Sequence, residues 1–128
     1  MFKRVAAVRG AIVLDIDEKE ELLIKTSDLV SKLMQENNIK SKDIIFILLT
    51  ATKDIRSAFP AEGARAIGLS SVPLICAQEI DVDYSLERCI RVLIQFYTRK
   101  NHNRIKSVYL GAAKSLRSDL NSREQGGV

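Results

Sequence analysis

This chain of 128 residues has few of the residue types on which most catalytic chemistry depends. It contains one histidine, two cysteines and no tryptophan, with three tyrosines and four phenylalanines. The histidine, His102, lies in a polar stretch, which argues against a histidine-based triad or metal site. Cys76 and Cys89 lie in apolar segments without CxxC spacing, which favours reduced, packed thiols and a cytoplasmic protein. Glycine patterns for nucleotides are also missing, so no metal or other cofactor is expected.

Long apolar runs are absent as well, because no segment approaches the roughly 20 residues that span a bilayer. The N-terminus, Met1 to Val5, leads directly into a strand pattern rather than a signal peptide. No membrane partner is therefore expected. The net charge of +4 is spread along the chain without a dense basic block. Since stacking aromatics are also scarce, nucleic-acid binding is not expected, and the charge suits a small anionic substrate.

The hydrophobic pattern predicts one α+β domain of about five strands and two main helices. The predicted strands cover residues 3–13, 44–49, 72–80, 87–98 and 105–110. One helix is predicted to begin at Asp17, which has capping-box spacing to Glu20, and to stop at Asn37. A short second helix is predicted between Pro60 and Gly68. The apolar run 44–49 predicts a buried central strand, residues 1–120 form the expected domain, and the polar residues 121–128 form an expected mobile tail.

Arg91 is the most informative single residue, because it interrupts an apolar strand pattern that runs from Cys89 to Phe96. Side chains alternate between the two faces of a strand, so Arg91 points away from the wholly apolar face. That face consists of Ile90, Val92, Ile94 and Phe96. A guanidinium among apolar neighbours needs an anionic partner. Glu79 is a candidate, since a hairpin between the third and fourth predicted strands would pair it with Arg91.

Three further arginines, Arg9, Arg65 and Arg117, follow apolar or small residues. If several guanidiniums converge, one carboxylate cannot neutralise them, and a ligand with more than one carboxylate or phosphate is expected. The alternative is an ordinary Arg91–Glu79 cross-strand pair, with Arg65 and Arg117 as solvated surface residues. A converging site of this kind offers positive charge and shape but little acid–base chemistry.

Nine short segments, in order and at similar spacing, resemble the small trimeric chorismate mutase family of the α/β pseudo-barrel class. They are Arg9–Ala11, Leu49–Asp54, Phe59–Ala61 with Ala64-Arg65, Val72-Pro73, Cys76 with Gln78-Glu79, Asp81-Val82, Cys89–Val92, Val108–Leu110 and Leu116–Leu120. The resemblance covers nearly the whole chain. It implies a five-stranded mixed sheet with two main helices, and a homotrimer that forms a pseudo α/β barrel with active sites at the subunit clefts.

The resemblance also implies an isomerase that converts chorismate to prephenate in the shikimate pathway, at the branch to phenylalanine and tyrosine. That reaction is a Claisen rearrangement within one molecule, and it needs no metal, cofactor, proton transfer or covalent intermediate. The implied substrate is a dicarboxylate, which agrees with the excess of arginines.

Three residues are implied to act on the reacting atoms. Arg9 would bind a substrate carboxylate, Arg91 would donate to the ether oxygen and to a carboxylate, and Glu79 would accept from the ring hydroxyl. The other implied substrate contacts are Phe59, Arg65, Ile75, Cys76, Ala77, Gln78, Tyr109, Leu116 and Arg117.

Among these contacts, Tyr109 would bind a carboxylate and Phe59 would line the pocket. Arg65, Leu116 and Arg117 would sit at the rim, with the C-terminal tail closing over the ligand. The chain departs from the family pattern at Glu62, where a lysine can stand in relatives. It departs also at Ile75 and Ala77, but the four central residues, Arg9, Glu79, Arg91 and Tyr109, are all present.

Three alternatives compete with this interpretation. A trimeric imine/enamine deaminase shares a similar pseudo-barrel and binds carboxylates, although its motifs are not those of this chain. A non-catalytic carboxylate-binding or regulatory protein could keep the anion pocket. An RNA-binding module would show affinity that depends on salt.

Overall fold

The computed structural model describes residues 2–117, and these form one α+β unit. The elements are β1 (Arg4–Val13), α1 (Lys19–Glu36), β2 (Ile44–Ala51), α2 (Ala61–Ala66), β3 (Leu74–Gln78), β4 (Cys89–Thr98) and β5 (Val108–Leu110). Short 3-10 helices occupy Ser41–Asp43, His102–Arg104 and Gly111–Arg117. The predicted tail, 121–128, lies outside the described residues. No helix between residues 2 and 117 combines the length and the apolar character that crossing a membrane requires.

The five strands form one mixed sheet in the order β3-β2-β4-β1-β5. β4 is antiparallel to both β1 and β2, while β3 runs parallel to β2 and β5 runs parallel to β1. The predicted α+β class with a five-stranded mixed sheet and two main helices is therefore confirmed. The predicted hairpin between β3 and β4 is wrong, because β2 lies between them. β4 is the middle strand of the five, and β2, predicted as a buried central strand, is an interior strand that pairs with β3 and β4.

One face of the sheet is covered by α1 and α2, and it carries the hydrophobic core. The predicted apolar face of β4 lies here, with each of its four side chains at most 1 % exposed: Ile90, Val92, Ile94 and Phe96. The amphipathic α1 supplies further fully buried side chains: Leu22, Leu29, Val30 and Leu33. This burial confirms the alternation on β4 and explains why α1 packs as it does.

The other face of the sheet, here called the open face, has little cover from residues 2–117. Large apolar side chains stay exposed on it, with Val5 at 49 %, Ile75 at 64 % and Tyr97 at 47 %. In the part of the chain that the structure describes, the open face is covered at its β5 end. There the Gly111–Arg117 helix packs on a small buried cluster formed by Ala11, Cys89, Tyr109 and Ala113.

The start of α1 differs from the prediction. The helix begins at Lys19, and Glu18 at its N-cap makes no side-chain capping bond. The Asp17 carboxylate instead accepts hydrogen bonds from the backbone N–H groups of Arg56 (2.7 Å) and Ser57 (3.3 Å). It also accepts one from the Ser57 hydroxyl (2.6 Å). The predicted capping box is wrong because Asp17 is used to hold the loop between β2 and α2.

The C-terminal end of α1 is fixed to the segment before β5 by Asn37, which is 1 % exposed. Its side-chain amide donates to the carbonyls of Leu33 and Lys106, both at 2.9 Å, and accepts from the Lys106 N–H at 2.7 Å. The predicted helix stop at Asn37 is confirmed. Because Lys106 lies just before β5, this clamp sets the position of that strand.

The start of β4 is anchored to the loop after β2. Arg88 adopts a φ of 49°, which is uncommon for a residue other than glycine. The Asp54 carboxylate accepts from the Arg88 N–H (2.9 Å), and the Arg88 Nε donates to the Leu14 carbonyl (3.1 Å). The Cys89 N–H donates to the Thr52 hydroxyl oxygen (3.0 Å). These contacts fix where β4 begins and, through it, where Arg91 lies.

Gly10 allows β1, β5 and α1 to approach closely. A Cβ at this position would lie 2.6 Å from the Val108 carbonyl oxygen and 3.0 Å from the Leu33 side chain. Gly10→Ala is therefore expected to destabilise the protein by about 1–3 kcal/mol through overpacking. Urea denaturation followed by circular dichroism measures this change. An unchanged midpoint would show that the two strands can separate freely at this position.

Candidate active site

A cavity of about 270 Å³ lies on the open face, and its lining residues come from β1, β2, β4, β5 and the residue after β3. Its polar lining consists of Arg9, Thr50, Glu79, Arg91 and Tyr109. The structure therefore brings together the four central residues that the sequence analysis singled out. Thr50 is an addition to that set.

Strand register explains why these side chains share a face. Arg91 stands opposite Ala11 on β1 and opposite Thr50 on β2, and Ala11 stands opposite Tyr109 on β5. Arg9 lies two residues before Ala11, so it projects to the same side. Arg91 must leave the core face because its neighbours on β4 fill that face. The strand register then places the other polar side chains on the open face beside Arg91.

Glu79 reaches this cavity from the sheet edge. It was predicted within the third strand, but it lies one residue beyond β3, where its N–H donates to the Ala51 carbonyl (2.9 Å). Arg91 Nε donates to Glu79 Oε2 (2.5 Å), and Arg91 Nη2 donates to Oε1 (2.6 Å). The Thr50 hydroxyl donates to Oε2 as well. The Arg91–Glu79 contact forms as predicted, although the carboxylate crosses β2 to make it.

The pair holds both groups in their charged forms. Hydrogen bonding from Arg91 lowers the pKa of Glu79 below its ordinary value, against the opposing effect of burial, and Thr50 adds to the lowering. The same hydrogen bond raises the pKa of Arg91. The Arg91 side chain is 50 % exposed and that of Glu79 is 16 % exposed. The guanidinium is thus accessible to a ligand, and its pairing contributes only modestly to stability.

Cys89 does not offer a reactive thiolate at this site. Burial raises the pKa of Cys89 to about 11. Cys76 is half-buried and packs against the main hydrophobic core. Between residues 2 and 117 there is no group of three or more His, Cys, Asp or Glu side chains that could hold a metal ion. Positive charge, one carboxylate and shape are what the cavity provides.

Four of the remaining candidate residues line a different cavity within the part of the chain that the structure describes. Phe59, Cys76, Ala77 and Gln78 line a separate cavity of about 570 Å³ between the β2–α2 loop and the end of β3. Phe59 is 69 % exposed there. The predicted site residues thus fall into two groups that a single chain keeps apart.

The four other candidate residues belong to α2, β3 and the last 3-10 helix. Arg65 is exposed on α2 and Ile75 is exposed on the open face of β3, and neither lines these two cavities. Leu116, 37 % exposed, and Arg117 belong to the last 3-10 helix.

Glu62 lines the same second cavity, but its charge is used locally. Its Oε2 accepts from the Phe59 N–H (3.1 Å) at the start of α2, and its Oε1 lies 3.6 Å from Lys19 Nζ. The carboxylate therefore interacts favourably with the N-terminal end of α2 and with a lysine. This departure from the family pattern has a structural explanation.

Thr50 was not predicted as a site residue, although it belongs to the segment Leu49–Asp54 that resembles the family. The signal was a hydroxyl directly after the apolar run Ile44–Leu49. A polar residue that ends a buried strand pattern often marks the point where the strand meets a site, and Thr50 follows that pattern.

The sheet has one open face, and two arginines, a glutamate and a tyrosine surround a cavity on it, which is an arrangement suited to a small anion. Comparison with known proteins identifies the family. Residues 5–120 match the family described as "Chorismate mutase type I". The chain belongs to this family, as the resemblance of its segments had indicated.

Individual relatives agree with this assignment. The chain is 39 % identical over 117 residues to chorismate mutase AroH of Bacillus subtilis (strain 168), covering 91 % of this chain and 92 % of that protein. It is 41 % identical over 121 residues to chorismate mutase AroH of Thermus thermophilus, covering 94 % and 99 %. The solved chorismate mutase from Clostridium thermocellum is 42 % identical with a TM-score of 0.84, covering 86 % of this chain and 98 % of that one.

Arg91 is expected to control the ionisation of Glu79. In Arg91→Met the side chain keeps much of its length but loses the charge, so the pKa of Glu79 should rise towards the ordinary value of a glutamate. Carbon-13 NMR of the glutamate side-chain carboxyls across a pH titration measures this rise. Arg9→Met is the matched control, because Arg9 lines the cavity without pairing to Glu79. An equal rise in both variants would show that general charge, and not the paired hydrogen bonds, sets the pKa.

Proposed function

We propose that this protein is a chorismate mutase that rearranges chorismate to prephenate, the step that leads to phenylalanine and tyrosine. The observation that carries the proposal is the convergence of Arg9, Glu79, Arg91 and Tyr109 on one cavity of the open face. Membership of the family supports the reaction, and the charge of the cavity suits a substrate with two carboxylates.

The proposed chemistry relies on preorganised charge. As the ether C–O bond of chorismate breaks, negative charge grows on the ether oxygen, and a fixed donor there lowers the barrier. Arg91 is the proposed donor, since its planar guanidinium can bind this oxygen and a carboxylate together. Arg9 and Tyr109 bind substrate carboxylates, and Glu79 accepts a hydrogen bond from the ring hydroxyl.

The reaction also needs a folded substrate. The side chain of chorismate must lie over its ring so that the two reacting carbons meet, and a closed site that holds this conformer lowers the entropic part of the barrier. The cavity of about 270 Å³ in one chain is open on the side that faces away from the sheet. A second wall is therefore required.

We propose that the second wall comes from a neighbouring copy in a homotrimer that forms a pseudo α/β barrel. Exposed Val5, Ile75 and Tyr97 on the open face give an apolar surface that association would cover. Phe59, whose cavity is separate from that of Arg91, is proposed to face the substrate from the adjacent subunit. Arg65, Leu116 and Arg117 are proposed for the rim of the same cleft.

The remaining proposals concern the domain bounds, four further substrate contacts, the cellular location and the partners. Residues 1–120 are proposed as the single catalytic domain, in line with the family match over residues 5–120, and 121–128 follow it. The substrate contacts of Ile75, Cys76, Ala77 and Gln78 are proposed as backbone or wall contacts near the cleft. Reduced cysteines suit a cytoplasmic location, and the proposed partners are a dicarboxylate substrate and the other copies in the trimer.

The first test of this proposal is the loss of chorismate absorbance with purified protein, with prephenate identified as the product. Arg91→Lys keeps the charge but loses the planar fork, so kcat is expected to fall by at least about 100-fold. Arg99→Lys is the matched control, because Arg99 is exposed beyond the end of β4 and is expected to leave kcat unchanged.

Two outcomes of this test would overturn the proposal. Near-normal kcat in Arg91→Lys would remove the role assigned to Arg91. No turnover by folded wild-type protein would remove the mutase function. In that case tight prephenate binding would indicate a binding protein, and turnover of an imino acid would indicate a deaminase.

The shared site can be tested by mixing two inactive variants. Arg91→Ala removes the proposed donor, and Phe59→Asp places a negative charge against the dicarboxylate at an exposed position. When the two variants are refolded together at equal amounts, about a quarter of the sites should contain both intact residues if the sites lie between subunits.

Sedimentation of the same samples should give about three times the chain mass of 14.3 kDa. No recovery of activity in a mixed trimer would show that each site is built from one chain. A monomer in solution would contradict the trimer itself.

A further inference from the structure

Thr50, on β2, contacts the Arg91–Glu79 pair. It stands opposite Arg91 in the pairing of β2 with β4, and its hydroxyl donates to Glu79 Oε2, the same oxygen that accepts from Arg91 Nε. The next residue, Ala51, accepts the Glu79 N–H through its carbonyl (2.9 Å). β2 therefore holds Glu79 at two points, through its backbone and through its side chain.

The hydroxyl of Thr50 has only one proton to donate. Because that proton goes to Glu79 Oε2, this oxygen is tied to β2, while Oε1 receives a donor from Arg91 alone. A β-branched side chain in a strand has restricted χ1 freedom, so the hydroxyl holds its direction. The two oxygens of Glu79 are thus unequal, and Oε1 is the one that a ligand can reach by displacing one contact.

A ligand changes the balance around Glu79. When the half-exposed guanidinium of Arg91 turns to an anionic ligand, Glu79 loses donors to both of its oxygens. The carboxylate side chain is only 16 % exposed, so water can replace those donors only in part. The Thr50 hydroxyl and the Ala51 carbonyl are the contacts that remain.

We propose that Thr50 is the positioning residue of the site: it holds Glu79 ionised, with Oε1 directed at the ligand, while Arg91 is engaged with substrate. This inference rests on the proposed function. It assigns a role to a side chain that binds another protein group and is not a catalytic residue in its own right.

The charged and titratable side chains around Glu79 come from several elements. Arg9 on β1, Arg91 on β4 and Tyr109 on β5 line the same cavity, and Cys89 lies behind Arg91 with a pKa raised by burial to about 11. Asp81, two residues further along, pairs with Lys53 (2.9 Å). Arginine, tyrosine and a buried thiol do not change charge near the usual pKa of a glutamate. Asp81 is a second carboxylate near this site, so the NMR titration of the Glu79 carboxyl described below is needed to assign the acid side of the activity profile.

The test compares Thr50→Val, which keeps the shape and removes the hydroxyl, with Thr50→Ser, which keeps the hydroxyl. Loss of a hydrogen bond to a charged group is expected to lower kcat/KM of Thr50→Val by about 10- to 100-fold, mainly through kcat. Thr50→Ser keeps the hydroxyl and is expected to recover most of this loss. Since the hydroxyl helps to lower the pKa of Glu79, its removal raises that pKa. The acid limb of kcat/KM should then move to higher pH in Thr50→Val but not in Thr50→Ser.

A second measurement needs no turnover. Carbon-13 NMR of the Glu79 carboxyl in the free protein should show a raised pKa in Thr50→Val and a wild-type value in Thr50→Ser. Thr50→Ala serves the same purpose if valine lowers the yield of folded protein. If wild-type protein does not convert chorismate, the proposed function fails, while the NMR titration still decides the role of Thr50.

The inference is overturned by either of two results. The first is a wild-type pH profile, kcat and Glu79 pKa in Thr50→Val, which would make the hydroxyl irrelevant. Alternatively, Thr50→Ser and Thr50→Val could lose activity equally without any shift of the acid limb, which would assign the effect to packing in β2.

Discussion

The paired hydrogen bonds between Arg91 and Glu79 are the interaction on which the architecture of the site depends. The two residues belong to segments separated by β2, so the pair can form only because β3 ends at Gln78 and the chain then turns across the end of its neighbour. Thr50 lies at the point of crossing. The site is thus built where a strand stops, which is a common place for function in sheet proteins because backbone and side chains are both free to turn there.

The Arg91–Glu79 pair contributes more to the orientation of its two side chains than to the stability of the domain. Its guanidinium is half exposed, and exposed ion pairs contribute at most about 1 kcal/mol. The stability of the domain comes instead from the opposite face, where β4 and α1 bury large apolar side chains completely. The sheet separates these two tasks, since residues that alternate along β4 serve the core on one side and the site on the other.

Alternation along a single strand could be predicted from the sequence, and it led directly to Arg91, its apolar neighbours and an anionic partner. The order of the strands could not, because pairing between distant segments is not encoded in local pattern. The assumption of a hairpin between consecutive strands therefore failed for β3 and β4. The capping prediction at Asp17 failed for a related reason, since its carboxylate binds the distant Ser57 and not the start of its own helix. The family resemblance supplied what local pattern lacked, namely which distant residues share one site.

Asn37 gives the short edge strand β5 an attachment that is independent of the sheet. β5 pairs with β1 over only three residues, yet Tyr109 within it is 7 % exposed and faces the site. The Asn37 side-chain amide hydrogen-bonds to both the N–H and the carbonyl of Lys106. The segment that leads into β5 is therefore held in place against the end of α1. Changes in the length or composition of the surface segment 99–104 are therefore expected to leave Tyr109 in place beside the candidate cavity.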